Sequence, residues 1–197
     1  MTKDIILASQ SPRRIQLLEW AEIAFEVVTS GADETYPDGM DIEQVPVFIA
    51  EQKALAVKDK VMNAFHAQYA HKPILAADTI VVVDNTVIGK PLNREHAIEI
   101  LTSLSGKTHS VITGVVILKD DKKISFSDTT KVEFHSISQE QIEYYIDKYK
   151  PYDKAGAYAI QEWIGVVGIK KIEGDFYNVV GLPVSKVVKA LQSLYSA

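Results

Sequence analysis

Between Pro73 and the pair Asp84-Asn85 lies Ile74-Leu75-Ala76-Ala77-Asp78-Thr79-Ile80-Val81-Val82-Val83, an apolar run interrupted by Asp78-Thr79. Aliphatic residues bounded by turn residues predict a strand over 74–83, with Asp84-Asn85 reversing the chain into Thr86-Val87-Ile88. An aspartate inside such a run is unfavourable unless it is paired, binds a metal or opens onto a cleft. Asp78 is therefore either a carboxylate satisfied by neighbouring amides or part of a chemical site.

The flanking segments predict a mixed α/β fold with a partly antiparallel sheet. Ile5 to Ala8 reads as a buried strand handing over to a helix, with Ser11 as its N-cap and Pro12 at the first helical position. A weak strand follows at 25–29, and the aperiodic stretch 31–41 is a loop. Phe48, Ala50, Ala54, Val57, Val61 and Phe65 recur at three and four, which predicts one amphipathic helix from Pro46 to about Phe65 presenting Lys53 and Lys58 on its other sides. Asn93 caps a helix through Leu104 that stops at Gly106, and segments 110–118 and 124–134 form a hairpin around Asp120-Asp121-Lys122-Lys123. Ser138-Gln139-Glu140-Gln141 is a capping box opening a helix to about Tyr149. Short strands are expected near Val166 and Phe176, and a final helix after Pro183. With no linker, repeat or low-complexity tract, residues 1–197 are expected to form a single domain.

Length and composition set the remaining bounds. A chain of 197 residues should bury about 70% of its surface, enough for a real core. Lys+Arg 21 against Asp+Glu 26 gives a net charge of −5, which argues against duplex nucleic acid as partner. The absence of cysteine excludes disulfides, thiolate zinc sites and cysteine nucleophiles. The five histidines form no close ligand pair, so any metal should be a hard cation such as magnesium or manganese on oxygen ligands. The apolar run at the amino terminus is shorter than a signal core and no stretch approaches a membrane span, so a cytoplasmic protein is expected.

Three places could carry chemistry. Ser9-Gln10-Ser11-Pro12-Arg13-Arg14 puts hydroxyls, guanidiniums and unsatisfied first-turn amides at one helix N-terminus, where cations oppose the positive pole of the helix unless an anion is bound. The same residues also read as an ordinary cap with solvated arginines. Asp78-Thr79 is the second place, with Glu34 in the acidic loop and Lys90 in Gly89-Lys90-Pro91 as weaker companions. The third is Pro151-Tyr152-Asp153-Lys154-Ala155-Gly156-Ala157-Tyr158-Ala159-Ile160-Gln161, where small residues allow close backbone approach. The Gln161 amide can match the N3–H and adjacent carbonyl of uracil or thymine, a pattern guanine shares, or it can simply cap a strand end. Ser105-Gly106-Lys107-Thr108 is not a P-loop, because it follows a helix, enters a strand and has Leu101 where a glycine is required.

Taken together, Leu7-Ala8-Ser9-Gln10-Ser11-Pro12-Arg13-Arg14, Gln52-Lys53-Ala54, Ala77-Asp78-Thr79, Gly89-Lys90-Pro91, Leu104-Ser105-Gly106-Lys107-Thr108-His109, Asp153-Lys154-Ala155-Gly156-Ala157-Tyr158 and Val180-Gly181-Leu182-Pro183 resemble the Maf family of nucleoside triphosphate pyrophosphatases in order and spacing. The resemblance implies an elongated α/β fold similar to the inosine-triphosphate pyrophosphatases, with a cleft between two lobes, and a homodimer. It implies hydrolysis of a nucleoside triphosphate to the monophosphate and pyrophosphate with a divalent metal. Asp78 would be the catalytic acid residue, and Glu34 would help it hold the metal. Ser9, Arg14, Lys53 and Lys90 would bind the phosphates. Arg13, Thr79 and Gln161 resemble the branch acting on dTTP and UTP, with modified pyrimidine nucleotides as further substrates. Ala159 and Glu162, the latter followed by Trp163, stand where the family usually has glycine. A different class of reading is a nucleotide-binding regulator of septum formation and cell division that turns nothing over.

Overall fold

The computed structural model describes residues 4–29, 31–64, 69 and 71–195. Strand β1 (Ile5–Leu7) leads into α1 (Pro12–Trp20), β2 (Phe25–Val27), α2 (Val45–Ala64), β3 (Ile74–Val83) and β4 (Thr86–Ile88). Then come α3 (Arg94–Leu104), β5 (Thr108–Lys119), β6 (Lys122–Phe134), α4 (Gln139–Tyr149) and a 3-10 turn at Ala155–Ala157. The chain ends with α5 (Trp163–Gly168), β7 (Ile169–Glu173), α6 (Phe176–Val180) and α7 (Val184–Ser193).

The strands form one seven-stranded sheet in the order β2-β1-β3-β5-β6-β7, with β4 paired to β3. β1 runs parallel to β2 and to β3, with Ile6 opposite both Glu26 and Ile74. β4 is antiparallel to β3, and β7 is antiparallel to β6 with an irregularity at Glu133/Phe134. Neighbouring strands β5 and β6 are separated by two residues, Asp120 and Asp121, which permits only antiparallel pairing. The fold is thus mixed α/β with helices flanking a mixed sheet. No helix among the described residues is long and apolar enough to cross a membrane.

The chain divides into two compact units. The first comprises Met1–Asp78, Thr113–Asp128 and Gly181–Ala197. Its core is made where Ala50, Ala54, Val57 and Val61 of α2 meet Ile6, Ile74, Ala76 and Val116. Burial of each Val or Ile side chain there contributes about 1.5–3 kcal/mol. The small alanines let the helix approach the sheet closely.

The second unit comprises Thr79–Ile112 and Thr129–Val180. Arg94 of α3 forks onto Asp147 of α4, with Nε donating to Oδ1 at 2.8 Å and Nη2 to Oδ2 at 3.0 Å. His109 of β5, Phe134 of β6 and Tyr158 pack edge to face in this unit with ring centroids 5.0 to 5.4 Å apart.

Local signals set three of the helix starts. Ser11 accepts from the Arg14 amide, Asn93 accepts from the His96 amide at 2.8 Å, and Ser138 with Gln141 forms both halves of a capping box. Gly106, at φ +70°, stands just beyond α3. In the β3–β4 turn, Asp84 and Asn85 have φ of 48° and 63°, as a two-residue hairpin of this hand requires.

One expectation holds and two change. β3 runs from Ile74 to Val83 as predicted, unbroken through Asp78-Thr79, because a strand's hydrogen bonds use the backbone and tolerate a polar side chain that finds partners. The segments around Val166 and Phe176 are the helices α5 and α6, and the strand lies between them at Ile169–Glu173. Short apolar runs carry too little periodicity to separate helix from strand, and the choice falls to pairing with β6. Lys53 faces inward, not to another side: three residues after Ala50 and four before Val57, it shares their buried face. Phe65, the expected end of that helix, lies outside the described residues.

Candidate active site

Lys53 is the hub of the first unit's polar cluster. Its Nζ donates to Asp78 Oδ1 and to Glu34 Oε1, both at 2.7 Å. The Lys53 and Asp78 side chains are only 11% and 12% exposed, whereas Glu34 is half exposed at 50%. Each element supplies one partner: β3 carries Asp78, α2 carries Lys53, and the loop before α2 carries Glu34. Asp78 therefore meets the requirement that its place in the strand imposed, a direct ionic partner in a setting that water enters little.

Arg14 is the second centre. It is 8% exposed although it lies in the first turn of α1. Its Nε donates to the Gly181 carbonyl at 2.8 Å and its Nη1 to Ser9 Oγ at 3.2 Å. These acceptors offset the unfavourable placing of a cation at the positive end of a helix. Burial holds the Arg14 guanidinium below its ordinary pKa, with Asp78 pulling it up, Arg13 pushing it down and Glu34 adding a weaker pull upward. Asp78 and Glu34 are thus within electrostatic reach of Arg14 as well as bonded to Lys53.

Ser9 Oγ also accepts from the Ser11 amide at 3.2 Å. A serine oxygen that accepts twice has committed both lone pairs and keeps its O–H to donate. A hydroxyl donor, a buried guanidinium and a buried ammonium are the group types that hold phosphate oxygens. The two carboxylates within the same cluster are groups that can take a proton or ligate a hard cation.

The structure therefore joins Ser9, Arg14, Glu34, Lys53 and Asp78 within one unit, and Arg13 lies next to Arg14 on α1 at intermediate exposure. Thr79 directly follows Asp78 and begins the second unit, to which Lys90 and Gln161 also belong. The segments carrying these last two are tied together: the Gly156 amide donates to the Gly89 carbonyl at 3.1 Å. Gly156 has φ +71°, and a Cβ there would lie 2.9 Å from Val81 Cγ2. The small residue in this stretch is thus required by packing on β3 within the unit.

Residue-level reading missed the role of Gly181. Its motif, Val180-Gly181-Leu182-Pro183, is conspicuous, but nothing in it announces that a backbone carbonyl would hold an arginine 167 positions away. It also missed the ties around Glu162, which are built from α4.

A protein described as "dTTP/UTP pyrophosphatase" from Cytophaga hutchinsonii is 49% identical over 193 residues, covering 98% of this chain and 85% of the relative. One of the same description from Parabacteroides distasonis is 49% identical over 95% of this chain and 94% of its own length. Another from Bacteroides thetaiotaomicron is 44% identical, covering 96% of this chain and 95% of the relative. Among solved structures, that of the Staphylococcus aureus Ham1 protein aligns with a TM-score of 0.40 and 15% identity over 67% of this chain and 72% of that one. The model of the family described as Maf-like protein matches residues 4–194, and the chain belongs to that family.

Proposed function

We propose that the chain is a nucleoside triphosphate pyrophosphatase that hydrolyses dTTP and UTP, and modified pyrimidine nucleotides of the same edge, to the monophosphate and pyrophosphate. The observation that carries this reading is the cluster itself: Asp78 lies 2.7 Å from Lys53 and within electrostatic reach of Arg14, so an acid and two phosphate-type cations share one place. A protein that only bound nucleotide would need no base beside its phosphate-binding cations. The curated relatives named above carry the same activity in their descriptions.

In this mechanism Arg14, Lys53 and Ser9 grip the phosphate chain, with Lys90 and Arg13 as further cations. Asp78 orients a water and takes its proton as the oxygen bonds to the α-phosphorus. The α–β bridging oxygen then leaves with the β and γ phosphates as pyrophosphate. General-base help of this kind contributes about 10² to 10⁴ in rate, and fixed cations stabilise the charge that develops on the leaving group.

Asp78 and Glu34 also fit a hard divalent cation such as magnesium or manganese. One oxygen of each lies 2.7 Å from the Lys53 ammonium, so two carboxylates flank one cationic position; no group of three or more such ligands occurs among the described residues, and substrate phosphates and water would complete the shell. Magnesium is commonly held by one or two carboxylates together with substrate phosphates and water. When bound, such an ion supplies charge neutralisation and polarisation of phosphoryl oxygens. Base choice falls to Thr79, Arg13 and Gln161, the last offering its amide to the pyrimidine imide edge.

The test is a panel of nucleoside triphosphates incubated with purified protein and magnesium or manganese, with pyrophosphate measured. UTP and dTTP are expected to lead. Preference for a purine would overturn the base assignment, and tight binding with no pyrophosphate from any nucleotide would leave a regulator.

A further inference from the structure

The residue after Gln161 is a glutamate whose carboxylate is held by two groups. Tyr145, fully buried on α4, donates its hydroxyl to Glu162 Oε2. Lys154 places Nζ 3.5 Å from Glu162 Oε1 and donates to Asp153 Oδ1 at 2.7 Å. The same Tyr145 oxygen accepts from the Ala159 amide at 3.1 Å. One phenol oxygen thus grips the chain two residues before Gln161 and one residue after it.

A second tie lies beside the first. Tyr144, the neighbour of Tyr145 on α4, packs edge to face on Trp163, with centroids 5.0 Å apart. Consecutive residues of one helix therefore hold the consecutive residues that follow Gln161, while Gln161 itself is exposed. The Tyr145 ring is in turn stacked on Tyr149 at 5.1 Å. Burial and the neighbouring carboxylate push the Tyr145 hydroxyl well above its ordinary pKa, so it remains a donor at every working pH.

From this arrangement we infer that Tyr145 and Glu162 are positioning residues for base selection: they fix the backbone on both sides of Gln161 so that its amide meets the pyrimidine edge in one orientation. The inference rests on Gln161 reading the base, as proposed above. The physical argument is preorganisation. The Gln161 amide turns about its own side-chain bonds, so what a bracketed backbone fixes is where that side chain starts; from a loose backbone it can reach the base from several positions and match cytosine, with its inverted edge, as well as uracil. Held at residues 159 and 162, the backbone gives that side chain one point of departure toward the edge. Neither Tyr145 nor Glu162 needs to touch the substrate.

UTP and CTP differ only at that edge, so the ratio of their kcat/KM values is the readout. Tyr145→Phe keeps the ring and its stacking but deletes the shared oxygen. It is expected to lower the UTP/CTP ratio about tenfold, with the loss on UTP carried mainly by KM. Glu162→Ala should do the same, and Glu162→Gln, which keeps an acceptor for Tyr145, should restore most of the ratio. A merely structural role would depress both nucleotides alike, and an unchanged ratio in well-folded Tyr145→Phe and Glu162→Ala overturns the inference. Glu162, with a side chain 24% exposed, gives a variant pair that tolerates substitution should the buried tyrosine not. Gln161→Ala separates the two levels. If it leaves the ratio intact, base reading by Gln161 is wrong and the inference falls with it. If it collapses the ratio while the other variants keep it, only the positioning role is refuted.

Discussion

Arg14 donates through Nε to the carbonyl oxygen of Gly181 at 2.8 Å, joining the first turn of α1 to the loop before α7. Gly181 has φ +133°, a conformation open to glycine and strained for other residues. Gly181→Ala should turn that carbonyl and loosen the guanidinium. A hydrogen bond to a charged group contributes about 1.5–3 kcal/mol, so kcat/KM is expected to fall roughly 10- to 100-fold. Steady-state kinetics beside a thermal melt checks it: a variant that melts normally and keeps full kcat/KM would show that Arg14 needs no such support.

The Lys53–Asp78 pair gives a second expectation, with stability and activity moving in different proportions. Asp78→Asn should remove about 10² to 10⁴ of turnover by deleting the base. Lys53→Met should lower stability by about 1–3 kcal/mol, since it leaves a nearly buried carboxylate without its ammonium. Combining the two should be less damaging to stability than the sum, by about 0.5–3 kcal/mol, because the neutral Asn no longer needs the lysine. Urea denaturation of the two singles and the double decides it, and strict additivity would mean that the pair is not coupled.

His109 makes stability depend on pH. It is 2% exposed, its Nε2 lies 2.8 Å from the Tyr158 hydroxyl, and its Nδ1 has no hydrogen-bond partner among the described residues. Burial lowers its pKa from 6.5 to about 4, because the imidazolium would have to bury a second N–H without an acceptor. With the folded value depressed, the unfolded chain binds the extra proton first as pH falls. The contribution is therefore complete above pH 6.5 and lost progressively down to about pH 4. The loss integrates to about 3 kcal/mol. His109→Gln should flatten the stability profile in that window, and parallel curves for the two proteins would contradict the assignment.

Gly156 is predicted to tolerate no side chain. Alanine there would combine φ +71° with a Cβ 2.9 Å from Val81 Cγ2, and should cost about 1–3 kcal/mol. Adding Val81→Ala should recover only part, since it removes the clash and leaves the backbone strain. Chemical denaturation of the single and double variants tests this, and full recovery would show that strain plays no part.

Much of this protein is written locally in its sequence. Ser11-Pro12, Asn93 and the Ser138–Gln141 box begin their helices where the sequence places them, because caps and turns act over three or four residues and need no distant partner. Asp78 could likewise be singled out without a structure, since a charge in an aliphatic strand requires an explanation wherever the chain goes. What the local pattern could not settle were choices made by partners far away in the chain. α5, β7 and α6 divide a stretch of weak periodicity according to which part of it pairs with β6. The ammonium of Lys53 turns inward because Asp78 and Glu34 arrive 25 and 19 residues away to receive it. Gly181 holds Arg14, and Tyr145 brackets Gln161, only once α1, α4 and their loops are folded into place. Sequence alone determined the chemical groups and the elements that carry them, because propensity, capping and hydrophobic pattern are short-range. Tertiary structure alone decided which groups share a site, because desolvated charges and hydrogen bonds are satisfied by proximity in space.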